Sequence, residues 1–143
     1  MKSAALKLEL VRAVTFHCAH SYRVKSWSDE ENLKEFGACF SPTGHGHTYR
    51  LEAFVTGPVD EVTGMMINLK DLDKILKEAV SLLDGKFLDK EVGEFLDTVP
   101  TTEKISLFLF QRLKSALSQT PARLFRLRLF ETNDLWVECS EEI

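Results

Sequence analysis

The chain has 143 residues, of which 44% are hydrophobic and 28% charged, with a formal net charge of −4 and a pI of about 5.6. That length fits a single domain over residues 1–143 with a real core, and the acidic balance excludes a general nucleic-acid binder, which needs a basic face to displace counterions. No apolar run approaches the roughly 20 residues of a membrane span, the charges scattered through residues 1–14 break up any signal-peptide core, and three widely separated cysteines (Cys18, Cys39 and Cys139) form no disulfide framework, which points to a reducing cytoplasm.

Residues 6–20 alternate in part, with Leu6, Leu8 and Leu10 on one face and then Val14, Phe16 and Cys18. This predicts a long strand, bulged near Arg12. Residues 23–44 are polar and rich in turn formers, a long loop with room for a short helix at 29–36; a loop of that length is often functional. Residues 47–57 alternate again as a second strand, ended by Gly57-Pro58, and 59–66 make a turn. Asn68 offers an N-cap to a helix whose stripe is Leu69, Leu72, Ile75, Leu76, Ala79, Leu82 and Leu83; Asp84-Gly85 ends it. Residues 86–100 connect. Pro100 and Thr101 open a second helix with the stripe Ile105, Phe108, Leu109, Leu113, Ala116 and Leu117. Residues 123–132 and 135–140 are two more strands joined by a tight turn at Thr132-Asn133-Asp134. The order β-β-α-α-β-β predicts an α+β fold, a four-stranded antiparallel sheet with both helices on one face.

All four histidines lie in the first third of the chain. On a strand His45 and His47 project the same way, with Gly46 opposite. His20 ends the first strand on the face of Phe16 and Cys18, whereas His17 faces the other side and reads as a surface or packing residue. If the first two strands pair antiparallel, His20 meets His45 and His47. Three imidazoles without a fourth protein ligand suit a catalytic zinc with an open position; half-buried surface histidines satisfy the same spacing.

Cys39 leads into the strand that carries His45 and His47. A thiol beside a cation loses its proton more readily and can act as base or nucleophile, while a buried apolar cysteine fits the loop equally. Cys18 and Cys139 sit in strands as packing residues. Asp84 at a helix end, Glu131 at a strand end, and Thr101, Thr102 and Glu103 at a helix N-terminus all have ordinary local explanations. Arg126 and Arg128 share a strand face and could hold phosphate or simply be solvated.

The segments "FHCAH", "SDEENLKEFGAC", "GHGHTYRLE", "DEVTGMMINLKDL", "LLDGKFLD", "VPTTE" and "LFETND" follow one another in an order that resembles the 6-pyruvoyl-tetrahydropterin synthase family over nearly the whole chain. The related 6-carboxytetrahydropterin synthases usually place the cysteine four positions before the first histidine of the pair; here the gap is six. The resemblance implies the tunnelling fold, trimerised into a twelve-stranded barrel and usually stacked as a hexamer with sites between subunits. It implies zinc on His20, His45 and His47, a pterin substrate (7,8-dihydroneopterin triphosphate), Cys39 as the group that takes side-chain protons, and loss of triphosphate to give a pyruvoyl product. Glu131 would anchor the pterin, a carboxylate accepting the paired N3–H and 2-amino donors, with Thr102 and Glu103 lining the pocket. Asp84 matches a catalytic Asp-His pair of the family, but the histidine is replaced by Gly85. None of the remaining imidazoles stands free to replace it, since three hold metal and His17 points away. The alternatives are therefore 6-carboxytetrahydropterin formation, side-chain cleavage, or a pterin-binding relative that has lost turnover.

Overall fold

The computed structural model describes residues 5–142; residues 1–4 and 143, the ends of the predicted 1–143 domain, lie outside the described residues. Four strands, β1 (Leu10–His20), β2 (His45–Thr56), β3 (Arg123–Thr132) and β4 (Leu135–Ser140), form one antiparallel sheet in the order β1-β2-β3-β4. The long helices α2 (Leu69–Ser81) and α4 (Thr102–Leu117) pack on one face of it; the short helices α1 (Asp29–Phe36) and α3 (Leu88–Glu91) lie in the connections.

Period-two alternation decides which face is covered. Phe16 and Cys18 of β1, Tyr49, Leu51, Ala53 and Val55 of β2, and Leu127 and Leu129 of β3 are buried in the core. They meet Leu72, Leu76, Ala79 and Leu83 from α2 and the turn after it, and Ile105, Leu109, Leu113 and Leu117 from α4. The i, i+4 spacing of these leucines keeps each on the sheet-facing side. The predicted stripe overreaches at Leu69 and Leu82, which stay exposed at the two ends of α2.

Both long helices are capped as expected. Asn68 accepts a hydrogen bond from the Lys70 N–H and Thr101 from the Lys104 N–H. In α1, Ser28 accepts from the Glu31 N–H while its hydroxyl donates to the Glu31 carboxylate, a Ser-x-x-Glu start.

Three expectations need correction. Strand β1 begins at Leu10, not Leu6, and carries no bulge at Arg12: its register with β2 is unbroken from Leu10↔Val55 to His20↔His45. The irregularities fall between Phe54 and Val55 and between Phe130 and Thr132. Helix α2 stops at Ser81, and the chain continues in turns to Gly85. Segment 86–100 is more than a connection. It contains α3 and a 3₁₀ turn (Gly93–Phe95), driven by burial of Leu88 and Phe95, and it bonds to the outer edge of β1: Gly85 N–H to His17 O (2.6 Å), Ala19 N–H to Lys86 O (2.9 Å), with Phe87 bridging to Ala19.

The long loop after β1 is held by one buried side chain. Asn32 accepts from the Val24 N–H (2.7 Å) and donates to the carbonyls of Val24 (3.1 Å) and Ser28 (3.0 Å). Asn32→Ala strands these buried groups and should lower unfolding stability by about 1–3 kcal/mol; urea unfolding checks it, and a loss within error of zero would remove Asn32 from this role.

Candidate metal centre

The unbroken β1–β2 register places His20 opposite His45, with His47 opposite Cys18. His20, His45 and His47 all project to the helix-covered side. Their ring centroids lie 4.6 Å (His20–His45), 5.1 Å (His20–His47) and 5.0 Å (His45–His47) apart. The His20 and His45 Nε2 atoms are 3.0 Å apart. Glu131, arriving from β3, brings Oε1 to 2.9 Å from His47 Nε2 and 3.8 Å from His20 Nε2. One donor atom from each of the four residues lies within 4.8 Å of every other.

The cluster fits a divalent cation on its own chemistry. His20 is fully buried. Burial, then the neighbouring His45 and His47, push its pKa down to about 3, so its nitrogen keeps a lone pair at neutral pH. Tyr49 hydroxyl lies 3.1 Å from His20 Nδ1; with the proton on Nδ1, the Nε2 lone pair faces the cluster, the arrangement that orients metal-binding imidazoles. His47 Nε2 is buried without a hydrogen-bond partner although Glu131 Oε1 is 2.9 Å away. The distance allows a bond but the geometry does not, so the nitrogen is left unpaired.

Glu131 is itself held from the other side, its Oε2 accepting a hydrogen bond from the buried Thr102 hydroxyl (2.8 Å) at the first turn of α4. Glu103, the next residue, is exposed. Cys39 ends the 3₁₀ turn Gly37–Cys39 and is half-buried. Its carbonyl accepts from the Tyr22 N–H (2.9 Å). Burial raises the Tyr22 phenol well above the usual range, with Glu131, Cys39 and Glu103 adding to it. Gly44 allows the approach to β2: at φ +69°, a Cβ there would come within 2.4 Å of the Phe87 ring.

Asp84 is not brought to this cluster. It is exposed at the outer edge of β1, where Oδ1 accepts from the His17 N–H (2.9 Å). His17 does lie on the face opposite the imidazoles, as its position in the strand requires, but it does not stand apart from Gly85. Its ring and Gly85 line one open cavity of about 530 Å³ with Thr48 and Lys86, and its Nδ1 is 2.9 Å from Thr48 Oγ1. Cys18 is inert packing, its thiol pushed up to about 12 by burial and the charges of Asp84 and Glu131. Arg126 pairs with Glu9 (3.4 Å) and Arg128 with Glu138.

Sequence reasoning missed two aromatic residues. Tyr49 shares the face of His45 and His47 by alternation and could have been found that way. Tyr22 lies beyond the strand, where no periodicity predicts its direction.

The family model described as 6-pyruvoyl tetrahydropterin synthase matches residues 9–142. The chain belongs to this family. The human 6-pyruvoyl tetrahydrobiopterin synthase is 39% identical over 127 residues, 88% of this chain and 86% of that protein. The solved Caenorhabditis elegans 6-pyruvoyl tetrahydropterin synthase superposes with a TM-score of 0.88 at 31% identity, covering 96% of this chain and 97% of that one. A dihydroneopterin monophosphate aldolase from Pyrococcus furiosus is 29% identical over 133 residues, 93% of this chain and 97% of that protein. The 6-pyruvoyl tetrahydropterin synthase fold is therefore present, and in this chain His20, His45, His47 and Glu131 gather at one place on it.

Two substitutions test the centre. His47→Ala should abolish stoichiometric binding of a divalent ion, and full metal retention in that variant would contradict the assignment. Tyr49→Phe should keep the fold but weaken metal affinity by about 10–100-fold, read by competition with a chromophoric chelator; unchanged affinity would deny Tyr49 its orienting role.

Proposed function

We propose that the protein is a zinc-dependent lyase that eliminates triphosphate from 7,8-dihydroneopterin triphosphate to give 6-pyruvoyl-tetrahydropterin. One observation carries the reading: three imidazole nitrogens and a threonine-anchored carboxylate converge at one end of the sheet, in a chain 39% identical to the human 6-pyruvoyl tetrahydrobiopterin synthase. Three histidine donors suit zinc with an open position. Bound zinc would supply Lewis-acid polarisation of the substrate's side-chain oxygens.

The residues then divide the work. His20, His45 and His47 hold the metal. Glu131, oriented by Thr102, accepts the pterin's N3–H and 2-amino donors through its two oxygens. Glu103 lines the pterin pocket with Thr102. Cys39 takes a proton from the side chain. Asp84 is exposed at the outer edge of β1 and bonded to the His17 backbone, so in this reading it and Gly85 serve a neighbouring copy within a trimer or dimer of trimers, whose sheets join as a twelve-stranded barrel. The imidazole at that corner is His17, which we assign the proton transfer that Gly85 cannot perform. A cytoplasmic setting suits the three unpaired cysteines. No helix among the described residues is long and apolar enough to cross a membrane.

Gly85 also favours a second reading, cleavage of the pterin side chain without loss of triphosphate, because that reaction needs fewer proton transfers. Product analysis separates the two. Zinc-loaded protein incubated with dihydroneopterin triphosphate should release inorganic triphosphate and the pyruvoyl pterin; a shortened pterin side chain selects the second reading, and tight binding with no product defeats both. Gly85→His should raise triphosphate release: its φ is +74°, a region histidine tolerates better than most residues, and nothing lies within 4 Å of the added Cβ. His17→Ala should lower the rate by about 10²–10⁴-fold. An unchanged rate in His17→Ala would remove the proton transfer from His17, and an unchanged rate in Gly85→His would mean that an imidazole at 85 supplies nothing the corner lacks.

A further inference from the structure

Cys39 must be held in a fixed place to act on anything bound at the imidazole cluster, yet it sits at the end of a one-turn 3₁₀ helix in a loop. Short loop turns are the least self-supporting parts of a fold. The loop beyond it is held by Ser21, whose hydroxyl donates to Ser41 O (2.6 Å), and the turn itself is joined to the cluster by Tyr22. Its backbone N–H donates to Cys39 O (2.9 Å). Its ring lies tilted on His20, with centroids 4.9 Å apart at 34°. The same ring meets Phe36, the last residue of α1, edge-on at 5.7 Å and 78°, and Phe36 stacks on Trp27 at 6.1 Å and 20°. Phe36 immediately precedes the Gly37–Cys39 turn. The aromatic series His20, Tyr22, Phe36 and Trp27 thus runs from a metal-site imidazole to the root of the cysteine turn. Offset and edge-to-face pairs of this kind add to plain burial.

We infer that Tyr22 is a positioning residue, whose ring, wedged between His20 and Phe36, fixes the Cys39 turn against the metal site. It needs no proton transfer and contributes no metal ligand. Its effect on turnover rests on the lyase reading above; its effect on the placement of Cys39 does not.

The test uses the full-length, zinc-loaded chain and three variants: Tyr22→Ala, Tyr22→Phe and Phe36→Leu. Alkylation by iodoacetamide is followed at Cys39 by peptide mass spectrometry, which separates it from Cys18 and Cys139. Tyr22→Ala should speed Cys39 alkylation by about tenfold, the effect of losing two aromatic contacts. It should lower kcat by about 10²-fold, the cost of a misplaced reacting group, with KM and zinc stoichiometry little changed. Tyr22→Phe keeps the ring and should restore both alkylation rate and kcat. Phe36→Leu removes the contact from the loop side, leaves His20 untouched, and should also speed alkylation, so the outcome does not depend on Tyr22→Ala folding.

Unchanged Cys39 alkylation in Tyr22→Ala and Phe36→Leu overturns the inference. So does a Tyr22→Phe variant as impaired as Tyr22→Ala, which would place the effect in the hydroxyl. If the unsubstituted chain releases no triphosphate, the lyase reading fails, while the alkylation measurements still decide the role of Tyr22.

Discussion

The pairing of β1 with β2 in one unbroken register is the constraint on which the rest depends. Slipping an antiparallel strand by a single residue turns every side chain to the other face. Here a slip would send His20 away from His45 and expose Phe16 and Cys18 together. The core prevents it. Phe16 stacks on Tyr49 with centroids 5.2 Å apart and an interplanar angle of 11°, and Leu51, Ala53 and Val55 are fully buried behind them. Each of the larger side chains contributes about 1.5–3 kcal/mol when buried, so the wrong register forfeits far more than any single imidazole contact could return. The site's geometry is therefore set by hydrophobic residues that take no part in its chemistry.

The cluster itself works against the fold until a cation arrives. Three imidazoles and a carboxylate gathered in one place lose hydration, and buried polar groups without partners are costly. His20 is kept neutral with its pKa near 3, and the buried His47 Nε2 lacks a hydrogen bond. A divalent ion would answer both at once, and its binding free energy would add to the stability of the folded state. Tyr49 and Thr102 limit the cost beforehand, one by fixing a ring and the other by fixing a carboxylate. Pre-set donors lose little freedom on binding.

Much of this was legible in the chain. Alternation gave the four strands, leucines at helical spacing gave α2 and α4, and His-Gly-His with a strand-ending histidine gave the cluster, because each is a repeating signal tied to a buried face. What escaped was fixed by single long-range contacts. Segment 86–100 looks like a connection until Leu88 and Phe95 find the core. Tyr22 lies past the last alternating residue, so its direction is set by His20 and Phe36 rather than by any period. The register shifts at Phe54/Val55 and Phe130/Thr132 are relations between paired strands, which a strand read alone cannot reveal. Asp84 makes a bond to the His17 backbone N–H that its match to a motif did not foretell, because that partner is 67 residues away in sequence.

That bond explains how the fold accommodates Gly85. An edge strand exposes unpaired backbone groups, and at the end of β1 these are taken up by residues 84–87: Asp84 Oδ1 receives the His17 N–H, Gly85 donates to His17 O, and Lys86 O accepts from the Ala19 N–H. Of these bonds, those at Gly85 and Lys86 are made by backbone, which any residue could supply, and the one side-chain bond belongs to Asp84. Glycine moreover adopts the required positive φ without strain. The edge of β1, and with it the placement of His20, is therefore held without any side chain at residue 85.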